Sequence, residues 1–330
     1  MMSSSASDAL ISVLIPAYNH ERYVEVAVRS VLGQDWPRME LIVIDDGSKD
    51  GTFRVLENLR AECQGRFERV DFRTQPNAGS CVTMNRLVSA ARGDFIAILA
   101  SDDFFLPGAF RALYAPMAAD PGVGVTVGQN IVVDAEGRRG YWDSKRHLLY
   151  DEKAAVFRTL NAFNASVSGV DPDGPRFGAY GELVRINHLA NGCLIRASAL
   201  RRTLPFTPEA PLEDWWMHLQ LAKVTRYVSV PTPTFAYRWH GTNTMRDGAH
   251  VQDMTRRTLL HEASCVRQSG DAVHLRELSK VPLDERRLFG SRKGLHLRRL
   301  QFIDRIELEF GIGSHEMGIW PPLGRSCKKT

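Results

Sequence analysis

The feature that most constrains the fold is a series of short, wholly apolar runs alternating with amphipathic stretches through the first hundred residues. Ile11-Ser-Val-Leu-Ile15 is rich in β-branched residues, ends at Pro16 and reads as a buried strand. Val24 to Leu32 carries Val24, Ala27, Val28 and Val31 at helical spacing, and Gly33 and Pro37 stop it. Leu41-Ile-Val-Ile44 repeats the strand pattern, and a helix follows from Asp50 to Leu59. A third strand is expected near Phe67 to Phe72, a helix from Ser80 to Ala91, and a fourth strand at Phe95-Ile-Ala-Ile-Leu99. Strands that are apolar at every position need cover on both faces. The expected fold class is therefore α/β, a mostly parallel, Rossmann-like sheet with helices on both sides.

Such sheets bind ligands beyond the carboxyl ends of their strands. At those ends the chain places Pro16-Ala-Tyr-Asn19, then Asp45-Asp-Gly-Ser-Lys-Asp-Gly-Thr52, then Ser101-Asp-Asp103. Adjacent carboxylates such as Asp102 and Asp103 repel unless a cation or donors neutralise them, and Mg²⁺ or Mn²⁺ shared with substrate phosphates suits them. A helix cap before Phe104 is the plainer reading of the pair taken alone. The loop from Asp46 to Glu57 nearly satisfies the EF-hand pattern, but a strand rather than a helix precedes it, so a calcium loop is rejected. Its glycines instead allow a tight strand-to-helix turn that leaves Asp46 free to accept from a nucleobase or ribose, with Ser48 and Asp50 as turn caps.

The chain contains neither GxGxxG after the first strand nor GxxxxGK[ST], which weakens dehydrogenase and P-loop kinase readings. A net charge of +4 over 330 residues gives no reason to expect nucleic acid. Cys63, Cys81, Cys193, Cys265 and Cys327 form no CxxC pair, which argues for a reducing compartment over a disulfide or zinc framework. With no signal peptide and no long apolar run, a cytoplasmic location is expected, at most on the inner face of the membrane.

Together these pieces resemble family 2 inverting glycosyltransferases of the GT-A fold. The resemblance runs over residues 11 to about 120, through Ser12-Val-Leu-Ile-Pro-Ala-Tyr-Asn19, Ser30-Val-Leu-Gly-Gln34, Glu40 to Thr52, Asn77-Ala-Gly79, Asn85, Gly93-Asp-Phe-Ile96 and Ser101-Asp-Asp103. Farther on, Asn191 to Leu200 looks like the segment beneath the donor sugar, Leu212 to Ala222 like the helix of the catalytic base, and Tyr237 to Asn243 like a late histidine motif. The resemblance implies that Pro16, Ala17, Tyr18, Asn19, Asp46, Asn77 and Gly79 bind the nucleotide, with Asp102 on the ribose and Asn191 and Gly192 under the sugar. It implies Asp103 and His240 as ligands of Mn²⁺ or Mg²⁺, Asp214 as catalytic base, and Glu213, Trp215 and Trp216 as the acceptor wall. Met84, Trp216 and Gln220 depart from the pattern, standing where an arginine, a second aspartate and another arginine are usual.

The implied activity is transfer of a sugar, with inversion, from a nucleotide-diphosphate sugar, UDP-linked by preference, to a hydroxyl of a glycan or lipid-linked acceptor in surface-polysaccharide synthesis. A sugar-1-phosphate nucleotidylyltransferase is the rival enzyme, although it calls for a Gly-rich, Arg-containing loop where Pro16-Ala-Tyr-Asn19 stands. A non-catalytic nucleotide-sugar-binding protein is the other rival. The expected domains are 1–245, catalytic, and 246–330, a helical extension; 134–187 reads as an insertion over the acceptor side, a candidate lid. Residues 286 to 300 hold six Arg/Lys and no acid, followed by Phe302, Ile303, Ile306 and Phe310. This segment suits either an anionic membrane surface or packing on the domain or a second subunit, which leaves a homo-oligomer open.

Overall fold

The structure, a computed structural model, describes residues 9–280. The basic segment at 286–300, the apolar residues after it and Cys327 lie outside that range.

Four parallel strands form one half of the sheet: β1 (Ile11–Ala17), β2 (Met39–Asp45), β3 (Arg69–Thr74) and β4 (Phe95–Ile98), in the order β3-β2-β1-β4. Every residue of β2 is buried, as is nearly every residue of β1. The pleat explains this: Ile11, Val13, Ile15, Leu41 and Val43 enter the core under α1 (Val24–Leu32) and α2 (Thr52–Arg66). Leu14, Ile42 and Ile44 enter the opposite core, under α3 (Ser80–Ala90). Each such side chain contributes about 1.5–3 kcal/mol by leaving water. At the edge, β3 buries only Phe72.

Beyond β4 the sheet turns mixed. After β5 (Phe104–Phe105) and α4 (Ala109–Ala119) come the long β6 (Val123–Val133), β7 (Arg139–Trp142) and β8 (Leu148–Leu149). Then follow α5 (Leu160–Ser168), α6 (Tyr180–Leu183), β9 (Leu194–Arg196), α7 (Ala197–Arg201), α8 (Glu213–Ala222) and β10 (Arg226–Arg238). The order continues β4-β9-β6-β10-β5, with β9 antiparallel to both β4 and β6, β10 parallel to β6, and β5 antiparallel to β10.

Residues 134–187 are not a loose insertion. Trp142 of β7 is fully buried against Phe163 of α5 and against Trp239, and its backbone bonds Phe157. The expected lid is a packed wall built on the end of β6. At the other side, α9 (Gly248–Gln268) buries Met254, Thr258, Glu262 and Val266 at a spacing of four, and α10 (Ala272–Ser279) follows it. Glu262 is wholly buried and takes bonds from Tyr180 (2.6 Å) and Gln220 (2.6 Å), with Lys223 2.7 Å away. The helical extension is thereby tied to α8. Among the described residues no helix is long and apolar enough to cross a membrane.

Candidate active site

Register brings the loops together. Ala17, Asp45 and Thr74 are cross-strand partners, so β1, β2 and β3 end level, while β4 stops opposite Leu14 and its chain continues through Ser101, Asp102 and Asp103. β5 then pairs with β10, which carries Arg238 and His240 to the same place. His20, just past β1, completes the group.

His20, Asp102 and His240 offer one imidazole nitrogen, one carboxylate oxygen and one further nitrogen, all within 4.8 Å of one another. His240 Nε2 lies 3.0 Å from Asp102 Oδ2 and His20 Nε2 lies 3.9 Å from it. Each ring is fixed from its other nitrogen: His20 Nδ1 by the Ser101 hydroxyl at 2.7 Å, His240 Nδ1 by that of Thr242 at 2.9 Å. Burial alone would raise the Asp102 carboxyl, but the His240 hydrogen bond and the nearby imidazoles outweigh it and hold its pKa down. Burial lowers the pKa of His20, partly opposed by Asp102. A divalent ion takes unprotonated imidazole nitrogens together with a carboxylate oxygen, so the donor set of these residues fits the metal that the motif implies.

Glu213 and Asp214 form the first turn of α8. Asp214 is open to solvent, yet crowding by protein raises its pKa; the Trp215 N–H (2.6 Å, to Oδ1) and the Asn187 amide (3.3 Å, to Oδ2) partly oppose this and hold the carboxylate in place. Burial, then the charge of Asp214, pushes Glu213 up to about 7, with the Ser80 hydroxyl pulling the other way. Tyr237 joins the two sides. Burial raises its pKa first, Asp103 raises it next, and Asp102 and Asp214 add to that. The carboxylates of both loops therefore act on one buried phenol.

Residues 12–171 match the family model described as glycosyl transferase family 2. These residues form a glycosyl transferase family 2 domain. Over 99 residues it is 37% identical to the putative teichuronic acid biosynthesis glycosyltransferase TuaG of Bacillus subtilis, a match covering 28% of this chain and 36% of that protein. S. aureus TarS 1-349 in complex with UDP shares the fold (TM-score 0.55, 17% identity, 90% of this chain and 78% of that one). So does the mannosyltransferase PcManGT from Pyrobaculum calidifontis in complex with GDP-Man and Mn²⁺ (TM-score 0.52, 15% identity, 90% and 80% covered).

Several expected residues stand elsewhere than anticipated. The carboxylate beside His240 is Asp102, not Asp103. Antiparallel pairing of β5 on β10 turns Asp103 inward, 2% exposed, to accept the Arg238 N–H at 2.8 Å. Burial and the neighbouring Asp102 raise its pKa well above the usual carboxylate range. Asp46 is not free: it accepts from the Gln75 amide (2.7 Å), Ala78 N–H (2.8 Å) and Gly79 N–H (2.9 Å), and so shapes the turn into α3. Trp215 and Trp216 are core residues rather than an acceptor wall, their indoles donating to Leu183 O (2.8 Å) and Pro205 O (3.3 Å). Gly192 is buried with φ +75°, and a Cβ there would lie 2.2 Å from the Phe235 ring, so its role is close packing.

Tyr18, Asn19, Asn77 and Gly79 are exposed along the open rim, Pro16 is partly covered and Ala17 is buried, its carbonyl accepting from Asp46 N–H. Asn191 bonds Asp103 from the far side. His20, Ser101, Asn187 and Tyr237 were not singled out from sequence. His20 follows Asn19 directly at a strand exit, a position that could have marked it.

Proposed function

We propose that this family 2 enzyme transfers a sugar, with inversion, from a UDP-sugar to a hydroxyl of a growing surface polysaccharide or its lipid-linked precursor. The observation that carries the reading is the His20–Asp102–His240 cluster at the strand ends, with Asp102 and Asp214 both near enough to act on the Tyr237 phenol. UDP in the TarS complex, Mn²⁺ in PcManGT and the polysaccharide role in the TuaG description support its parts. Cys63, Cys81, Cys193 and Cys265 are unpaired, which supports a cytoplasmic site of action.

His20, Asp102 and His240 would hold a divalent ion, and their mixed nitrogen and oxygen set suits Mn²⁺ better than Mg²⁺, which prefers oxygen alone. When bound, that ion supplies Lewis-acid stabilisation of the charge developing on the leaving diphosphate. The remaining work falls to the chain. Tyr18 and Asn19 form the exposed rim for the nucleoside, and the turn shaped by Asp46 presents Asn77 to Gly79 beside it. Asp214 takes the proton of the acceptor hydroxyl as that oxygen attacks the anomeric carbon from the face opposite the leaving group. Its raised pKa makes it a stronger base than a free aspartate, and the raised pKa of Glu213 lessens the negative charge beside it.

The test is calorimetric titration of UDP with Mn²⁺ and again with EDTA, followed by product analysis with UDP-sugars. Binding that requires Mn²⁺, is lost in Asp102→Ala and persists in Asp214→Asn is expected. Equal binding in EDTA would remove the metal from the reading, and nucleotide-sugar formation from UTP and a sugar phosphate would replace it with the rival chemistry.

A further inference from the structure

Arg146 occupies the turn between β7 and β8 with a left-handed backbone, φ +65°. The turn is held by Arg146 N–H to Asp143 O and by Asp143 N–H to His147 O, each 3.1 Å. That conformation bends the side chain back onto the wall. Its guanidinium lies 4.7 Å from the ring centroid of Trp142, 4.9 Å from Phe163 and 4.7 Å from Trp239. Nε is buried and has no acceptor. No carboxylate, hydroxyl or carbonyl among the described residues accepts from this guanidinium; the nearby Asp143 carboxylate is taken by the His147 ring at 2.8 Å and by two backbone N–H groups.

Aromatic faces stabilise the cation through their quadrupoles but cannot accept along its N–H edge, and a guanidinium keeps its charge. The structure thus holds a rigid, charged donor fork with no acid to answer it. A second arginine repeats the motif: Arg246 lies 5.3 Å from the same Trp239 ring and donates to His240 O at 3.4 Å. Trp239 adjoins His240 in the chain, and the ring centroid of Tyr237 lies 6.4 Å from that of Trp142 and 6.3 Å from that of Trp239. The fork therefore borders the transfer cleft. It stands on the β7–β8 wall, apart from the loops after β1 and β2 that form the nucleotide rim.

We infer that Arg146, with Arg246 across Trp239, binds an oxyanion, carboxylate or phosphate, carried by the acceptor. This rests on the proposed function, which makes the cleft around Tyr237 the place where the acceptor hydroxyl reacts. The acceptor is then an acidic glycan or a phosphate-bearing chain, not a neutral one.

The full chain in EDTA, where no metal can carry an anion, is titrated by calorimetry with D-glucuronate and with methyl phosphate, each at fixed ionic strength against glucose and chloride. Saturable binding of at least one anion is expected, weakened about tenfold in Arg146→Gln, the loss typical of a charge-assisted fork, and by less in Arg246→Gln. Should Arg146→Gln fail to fold, Arg146→Lys keeps the charge without the planar fork and is expected to weaken binding as well. No anion binding beyond the controls, or unchanged affinity in the folded Arg146 variant, overturns the inference. Repeating the glucuronate titration with UDP and Mn²⁺ bound separates the sources: displacement by UDP, or a tenfold fall of UDP affinity in Arg146→Gln, would assign the fork to the donor and overturn the acceptor assignment. Failure of wild-type UDP binding itself would sink the donor reading while leaving the anion titration intact as its own result.

Discussion

At the exit of β4, Asp102 faces two imidazoles and is held ionised, while its neighbour Asp103 turns into the protein and is pushed toward the neutral form. At the start of α8, Asp214 accepts from an amide and a backbone N–H among the described residues, and Glu213 beside it rises to about 7. Both are pairs of adjacent acids, yet their surroundings separate them. The first pair sets a carboxylate held low in pKa beside imidazoles against a buried acid whose pKa is raised; in the second, both acids are raised. On the proposed function, a carboxylate that holds metal and one that accepts a proton need opposite environments, and the two pairs would supply one of each.

The largest expected effect separates the two by their losses. Asp214→Asn should lower kcat by about 10²–10⁴-fold, the range for removal of a general base, with Mn²⁺-dependent UDP binding kept, as read by turnover and calorimetry. Comparable turnover would mean that the α8 pair is not the base. Asp102→Asn should instead weaken Mn²⁺-dependent UDP binding by at least about tenfold, and His20→Ala likewise, since each removes one donor from a set of three. Binding that falls more in Asp103→Ala than in Asp102→Ala would reverse the assignment within the first pair.

A smaller effect concerns stability against pH. The folded pKa of Glu213 lies above its unfolded value of 4.5, so the folded state binds the proton more tightly and stability falls as pH rises from about 4.5 to about 7. Glu213→Gln should remove that decline, gaining on the order of 1–3 kcal/mol relative to wild type at pH 8 in thermal melts. Equal slopes in the two proteins would show Glu213 to be ionised without penalty. The smallest change is expected from Asp103→Asn, which retains an oxygen for the Arg238 N–H. Its stability at neutral pH should stay within about 1 kcal/mol of wild type, measured by denaturant unfolding, because an amide replaces an acid that burial already pushes toward its neutral form.

Much of this was legible in advance. The helix expected over Val24 to Leu32 has those bounds, and the one expected from Ser80 differs at its end by a residue. Strands β1, β2 and β4 lie where the apolar runs stand, because burial on both faces leaves an unbroken apolar signal, whereas the edge strand β3, which buries only Phe72, begins two residues after the expected Phe67. The antiparallel half was harder to see. β5 has only Phe104 and Phe105, and β9 only Leu194 to Arg196, too short for a period to register. The tryptophans of α8 read equally as core or as sugar platform, since an aromatic ring suits both; the backbone carbonyls that accept from their indoles decided for the core.

The chain alone determined the parallel half of the sheet, the loops at its carboxyl ends and the concentration of acids in them, because those follow from local periodicity and turn chemistry. Which acid of each pair faces the cleft was settled only in three dimensions. Asp102 and Asp103 are indistinguishable as letters. The pairing of β5 with β10, which joins segments about 130 residues apart, turns one carboxylate toward His20 and His240 and the other onto a backbone N–H. Non-local pairing of that kind sets side-chain direction, and with it the charge each acid carries.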